Sequence, residues 1–194
     1  MKELAKKCKE MSDDNLIFIP GLEILTTEGY EILGIGLRKF AHKKPLEETV
    51  KFIHKNKGIA ILAHPCKYKS LPQKLSVDGV EILNFEYDGF FPCPRSLKIL
   101  EKNKEIFGIF GLDIHRKIHL RNIFVEVENG GKEREIIKKI LSKKFVNKNS
   151  FLNISPKYRV NKLNYIFYSI SHSCFTLSKF LGKKIFKMIR KLTK

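Results

Sequence analysis

Ile106-Phe107-Gly108-Ile109-Phe110-Gly111-Leu112-Asp113-Ile114-His115 opens as an apolar, β-rich run and closes on a carboxylate and an imidazole. Two other stretches have the same form. Leu16-Ile17-Phe18-Ile19 leads into Pro20-Gly21-Leu22-Glu23, and Ile59-Ala60-Ile61-Leu62 leads into Ala63-His64-Pro65. Ionisable side chains at the C-terminal ends of successive strands converge at one mouth of an α/β barrel, where such folds keep their chemistry. The three segments therefore read together as one scattered metal site.

The rest of the chain supports a β/α reading. Helical spacing is expected over residues 2–11, 46–56, 96–104 and 132–144, and buried strands over 16–19, 32–37, 59–63, 80–85, 106–111 and 123–127. Pro20-Gly21 is expected to turn the chain and present Glu23, and residues 89–94 to form a loop. Strands alternating with amphipathic helices are the pattern of β/α units. Residues 1–150 are expected to form that domain, and 151–194 a basic helical tail.

The segments IPGLEILTTEG, EILGIGL, AILAHP, GVEILN, GLDIH and IFVEVEN together resemble the PHP (polymerase and histidinol phosphatase) superfamily, over roughly Leu16 to Lys144. The resemblance implies a distorted seven-stranded β/α barrel and a metal-dependent phosphoesterase acting on a phosphorylated small molecule or nucleotide. It also implies metal ligation by Glu23, His64, Asp113 and His115, with catalytic work by Asp113 and His115. Members open with a His-x-His strand, then an Asp and a Thr-Asp-His segment. This chain contains no His-x-His, and Met1 falls where the helix before the third strand should lie. The expectation is a partial, N-terminally truncated barrel with half its metal shell and impaired activity. Glu31 stands where many members carry a histidine and becomes a substitute ligand. Glu81 and Asn84 fall where polar residues line or support the site.

The residues themselves fit such chemistry. Asp113 and His115 flank one residue, so from an extended segment both side chains point the same way. Pro65 is expected to hold His64 extended. A carboxylate and imidazole set suits Zn²⁺, Mn²⁺ or Fe. Lys67, Arg95, Arg116 and Arg121 are candidates to neutralise a phosphate. His119 reads as surface, and His42, His54 and His172 match no motif.

The formal net charge is +18, from 38 basic and 20 acidic residues. No acidic residue follows Glu135, while residues 136–194 hold fifteen Lys or Arg. From Phe167 to Leu192 an apolar stripe (Phe167, Ile170, Cys174, Leu177, Leu181, Ile185, Met188, Leu192) opposes Lys179, Lys183, Lys184, Lys187, Arg190 and Lys191. One helix or two fit this pattern equally. It suits a helix packed on the domain, an interfacial membrane helix, or contact with nucleic acid. The competing function is thus a non-catalytic PHP remnant that binds a nucleic acid or an anionic membrane through residues 157–194.

Cys8, Cys66, Cys93 and Cys174 form no C-x-x-C pair, so reduced thiols are expected rather than a disulfide framework. Cys66 lies two residues past His64 and could approach a metal. The N-terminus has no apolar signal region, and no apolar run reaches the ~18 residues of a membrane span. A cytoplasmic protein is expected. An open strand edge in a partial barrel leads to an expectation of self-association.

Overall fold

The structure is a computed structural model, and it describes residues 1–72, 75–115, 121–128 and 131–192, with side chains through Lys184. Helix α1 (Lys2–Met11) precedes the hairpin of β1 (Gly21–Leu25) and β2 (Glu31–Ile35). Then come α2 (Leu46–Lys55), β3 (Ile59–Leu62), a 3-10 turn (Pro65–Lys67), β4 (Gly79–Asn84), α3 (Phe85–Asp88), α4 (Pro94–Lys102) and β5 (Phe107–Gly111). The chain ends with β6 (Ile123–Val127), α5 (Glu133–Leu141), β7 (Phe145–Asn149), β8 (Asn153–Ile154) and α6 (Lys162–Leu192).

The first five strands form one sheet in sequence order. β1, β2 and β3 run antiparallel to their neighbours, whereas β3, β4 and β5 are parallel. β3 is buried on both faces, as a central strand covered on each side must be. Its alternation sorts the core: Ala60 and Leu62 join Val50, Ile53, Val80, Ile82 and Leu100 on one face. Ile59 and Ile61 join Phe107, Ile109, Ile137, Ile140 and Phe145 on the other. Helix α2 buries Leu46, Thr49, Val50 and Ile53, a stripe of helical period, with Glu47 and Glu48 at its positive end.

The expected seven-stranded PHP-type barrel, partial or complete, is corrected by this topology. Among the described residues there are two sheets, of five and three strands, and they do not close into a barrel. The reason lies at the outer edge of β5. No strand pairs there; instead the buried Asn147 side chain accepts the Phe110 N–H (2.9 Å) and donates to the Gly108 carbonyl (2.9 Å). The Gly108 N–H is taken by the Pro156 carbonyl. β7 thus reaches β5 through a side-chain amide, while its own backbone pairs antiparallel with β6 and β8. β8 lies beyond residue 150 and belongs to this second sheet, and Pro156 just after it meets β5.

Two local expectations also change. Residues 16–19 form no strand. The Asp13 carboxylate accepts the N–H groups of Asn15 and Leu16, and Ser12 Oγ accepts that of Phe18, so side chains occupy the donors a ladder would need. The strand begins at Gly21 and holds Glu23 at its centre rather than after a turn. The basic tail is one continuous helix. Its Ile170, Cys174, Leu177 and Leu181 lie exposed, while Tyr168 is buried. Phe175 packs where a Gly89 Cβ would come within 2.9 Å of its ring, and Lys179 bonds Glu86. Among the described residues no helix is long and apolar enough to cross a membrane.

Removing the Asn147 amide leaves two buried backbone groups of β5 unpaired, at roughly 1–3 kcal/mol for each. Asn147→Ala is therefore expected to lower stability by about 3 kcal/mol in urea denaturation with little change in slope. A loss under about 0.5 kcal/mol would show that the two sheets do not depend on this bridge.

Candidate metal centre

The β1–β2 hairpin pairs Glu23 with Leu33 and Leu25 with Glu31. Glu23 and Glu31 are therefore diagonal neighbours on one face of the hairpin, a spacing within reach of long side chains. β3 delivers His64 between them. Its Nε2 lies 3.2 Å from Glu23 Oε1 and 3.3 Å from Glu31 Oε2, and the three ligand atoms fall within 4.8 Å of one another. His64 is 3% exposed, and its Nδ1 has no hydrogen-bond partner among the described residues.

His64 is not extended, as Pro65 had suggested, but left-handed at φ 29° and ψ 65°. Its N–H donates to Glu81 Oε2 at 2.8 Å, which holds this uncommon backbone in place. Glu81 belongs to β4, where the register with β5 slips between Glu81 and Leu83. That bulge lets Glu81 and Asn84 line the same cavity, and bulges often re-aim side chains in this way. Asn84 Nδ2 donates to Glu81 Oε2 at 2.9 Å.

The cavity measures about 260 Å³ and has Leu33, Ile35, Ile61, Ile109 and Phe110 as apolar walls. Glu23, His64, Glu81, Asn84 and Asp113 supply its polar groups. Asp113, just past β5, takes φ 51°, a second left-handed non-glycine residue at the site. His115 is exposed outside the cavity lining and pairs with Asp113 at 2.7 Å. Thus Glu23, Glu31 and His64 form one tight group, Asp113 shares their cavity, and His115 sits beyond it.

Charge in the site is strongly coupled. The His64 hydrogen bond holds the Glu23 carboxyl below its ordinary range, against the opposing effect of burial. Burial alone would push His64 down, but Glu23, Glu81 and Glu31 outweigh it and raise it. Burial drives Glu81 up to about 7, against the hydrogen bonds from Asn84 and His64. At the mouth, Lys67 ion-pairs with Glu31, and the Tyr68 hydroxyl accepts the Glu31 N–H at 2.8 Å. Of the other phosphate candidates, Arg121 lies over the Phe85 ring, Arg95 is half-buried on α4, and Arg116 is outside the described residues, as is His119.

This donor set suits a divalent ion. Two carboxylates and an imidazole gathered around a small cavity are a donor set that could hold a divalent ion. A cation would also neutralise carboxylates crowded at a partly dry surface.

A second group of donors was not expected. Cys66, Asp88, Cys93 and His172 place their ligand atoms within 4.8 Å of one another. The Cys66 and Cys93 sulfurs are joined, which corrects the expectation of separate reduced thiols. Their wide separation in sequence matches no short metal motif, so only the tertiary fold brings them together. His172, which matched no motif, is the residue that sequence reasoning missed most clearly.

No protein-family profile matches the chain, and no curated protein matches it.

Glu81 gives a pH signature. The folded, metal-free chain keeps the Glu81 proton up to about pH 7, whereas an unfolded glutamate releases it near its ordinary value of 4.5. The folded state binds more protons across that window, so stability falls as pH rises through it. Glu81→Gln is expected to flatten this slope in urea denaturation with chelator present. An equal slope in the variant would show that another group causes it.

Proposed function

We propose that the chain is a divalent-metal-dependent phosphoesterase, the activity that the PHP-like segments imply. The observation that supports this most directly is the meeting of Glu23, Glu31 and His64 on one cavity that Asp113 also lines. Glu23, Glu31 and His64 would hold the ion, and Asp113, which lines the same cavity, would support it or a water beside it. A bound ion of this kind polarises a phosphoryl oxygen and lowers the pKa of bound water.

The chain's own residues do the rest. Lys67, which ion-pairs with Glu31 at the mouth, is placed to meet a substrate phosphate, and would be freer to do so were Glu31 to hold an ion. Asp113 holds His115 at the rim, where the imidazole can pass a proton to the leaving oxygen. Glu81 holds the His64 backbone, and Asn84 holds Glu81, from positions on the cavity wall. A cavity of about 260 Å³ admits a phosphate and a small adjoining group, which favours a phosphorylated small molecule or nucleotide.

A second reading rests on α6. Its exposed Ile170, Leu177 and Leu181, on a helix rich in lysine, suit an anionic membrane surface better than a nucleic acid. In that reading the domain is a non-catalytic carrier.

One experiment separates the two. Hydrolysis of an aryl phosphate ester is expected to be slow, to need Mn²⁺ or Zn²⁺, and to stop with chelator. His64→Ala or Glu23→Gln should lower kcat/KM on the order of 100-fold, and Lys67→Ala should act mainly through KM. If turnover is absent with every metal, while the chain sediments with anionic vesicles at low salt and not at high salt, the carrier reading replaces the enzyme.

A further inference from the structure

The second donor group lies on four separate parts of the chain. Cys66 is in the 3-10 turn that follows His64, and Asp88 ends α3. Cys93 precedes Pro94 at the start of α4, and His172 projects from α6. Nothing local gathers them; packing of α6 over α3 and α4 does.

Two features point to a ligand here. Asp88 is 2% exposed, and its Oδ2 is used by the Asn84 N–H at 2.8 Å. Its Oδ1 lies 3.2 Å from His172 Nε2, close enough for an ion pair when the imidazole is protonated. Both atoms are buried and have no hydrogen-bond partner among the described residues. Buried polar atoms are ordinarily satisfied, and a carboxylate especially so. Beside them lie two sulfurs from Cys93, fully buried, and Cys66, half-buried. A carboxylate oxygen, an imidazole nitrogen and two thiolates are a complete four-ligand shell for zinc. In such a tetrahedral centre the ligand atoms stand roughly 3.3–3.8 Å apart, given the usual metal–ligand lengths. Reduction would let the two bonded sulfurs part to about 3.8 Å, and the Asp88 and His172 ligand atoms already lie within 4.8 Å of them.

We propose that Cys66, Cys93, Asp88 and His172 form a structural zinc site when the Cys66–Cys93 bond is reduced. The thiolates select zinc or another thiophilic ion over magnesium or calcium. Four protein ligands would leave no open coordination position, which makes the site structural rather than catalytic. It uses no ligand of the Glu23–Glu31–His64 centre and stands whether or not that centre is catalytic.

The chemistry balances in two steps. A dithiol reductant gives two electrons and two protons to the Cys66–Cys93 bond; the S–S bond breaks, each sulfur becomes a thiol, and the reductant closes its own disulfide. The divalent ion then displaces both thiol protons and takes two thiolates, Asp88 Oδ1 and His172 Nε2. The disulfide links only the turn after His64 to the start of α4. The metal form adds His172 and so fastens α6 as well. The state of the sulfurs thereby decides how firmly the basic helix is held.

Cobalt(II) is the direct probe, because thiolate ligation produces an intense near-ultraviolet charge-transfer band. The full chain is reduced with a dithiol, freed of it anaerobically, and titrated with Co²⁺. The expected result is a charge-transfer band saturating at one thiolate-bound ion, apart from any Co²⁺ taken at Glu23, Glu31 and His64, absent from the oxidised chain and displaced by Zn²⁺. Cys66→Ser and Cys93→Ser should each weaken the band, and His172→Ala should weaken affinity roughly 10- to 100-fold. His64→Ala and Cys174→Ser should leave the band unchanged. No thiolate band in the reduced wild-type chain, which needs no variant to fold, overturns the proposal. A band that depends on Cys8 or Cys174 instead of Cys66 and Cys93 overturns it as well.

Discussion

The buried carboxylate of Glu81 constrains nearly everything around the cavity. Its Oε2 accepts the His64 N–H and the Asn84 side-chain amide, which fixes the exit from β3 against the end of β4. Its Oε1 occupies space that only glycine allows at position 111, where a Cβ would come within 1.9 Å. Asn84 in turn donates its backbone N–H to Asp88, so the same hydrogen-bonded path reaches the cysteine and histidine cluster. Two groups of metal donors thus lie at either end of one short network. Movement of Glu81 would disturb the His64 backbone on one side and the Asp88 carboxylate on the other.

That network also bears on the left-handed backbone of His64. Positive φ is uncommon outside glycine, although His and Asp are among the residues that adopt it most often. At His64 the compensation is visible in the Glu81 hydrogen bond. The reward is direction: Nε2 is brought between two glutamates that an extended residue at this position, following β3, would not be expected to reach in the same way. The overall charge distribution fits the same picture. Acidic residues cluster at the cavity of a chain whose net charge is +18, while the lysines concentrate in the last third.

Much of this was legible in the sequence, for identifiable reasons. β3, β5 and β6 announced themselves because continuous apolar or β-branched runs have one stable use, and α2 because its apolar residues keep a helical period. The PHP-like segments put Glu23, His64, Asp113 and His115 in one ligand set with Glu31 as a substitute, whereas the structure gathers Glu23, Glu31 and His64, adds Asp113 at the cavity wall and leaves His115 outside. The expected barrel does not form. Its closure depends on what meets the outer edge of β5, and that is settled by one polar side chain, Asn147, in a strand of mixed character. The strand expected at 16–19 failed because Ser12 and Asp13, outside the apolar run, take its donors. On the tail, Gly89 and Glu86 draw Phe175 and Lys179 inward, while Ile170, Leu177 and Leu181 of the apolar stripe stay exposed. The role of His172 was invisible because its neighbours in space are nowhere near it in sequence.

The most direct test of the account is where a metal ion settles. Crystals of the reduced chain soaked in Mn²⁺ and measured at the manganese absorption edge would give an anomalous peak at each bound ion. The account predicts a peak in contact with Glu23, Glu31 and His64, facing the cavity that Asp113 lines. An ordered site with His64 still bonded to both glutamates and no peak beside them, at saturating metal, would contradict it.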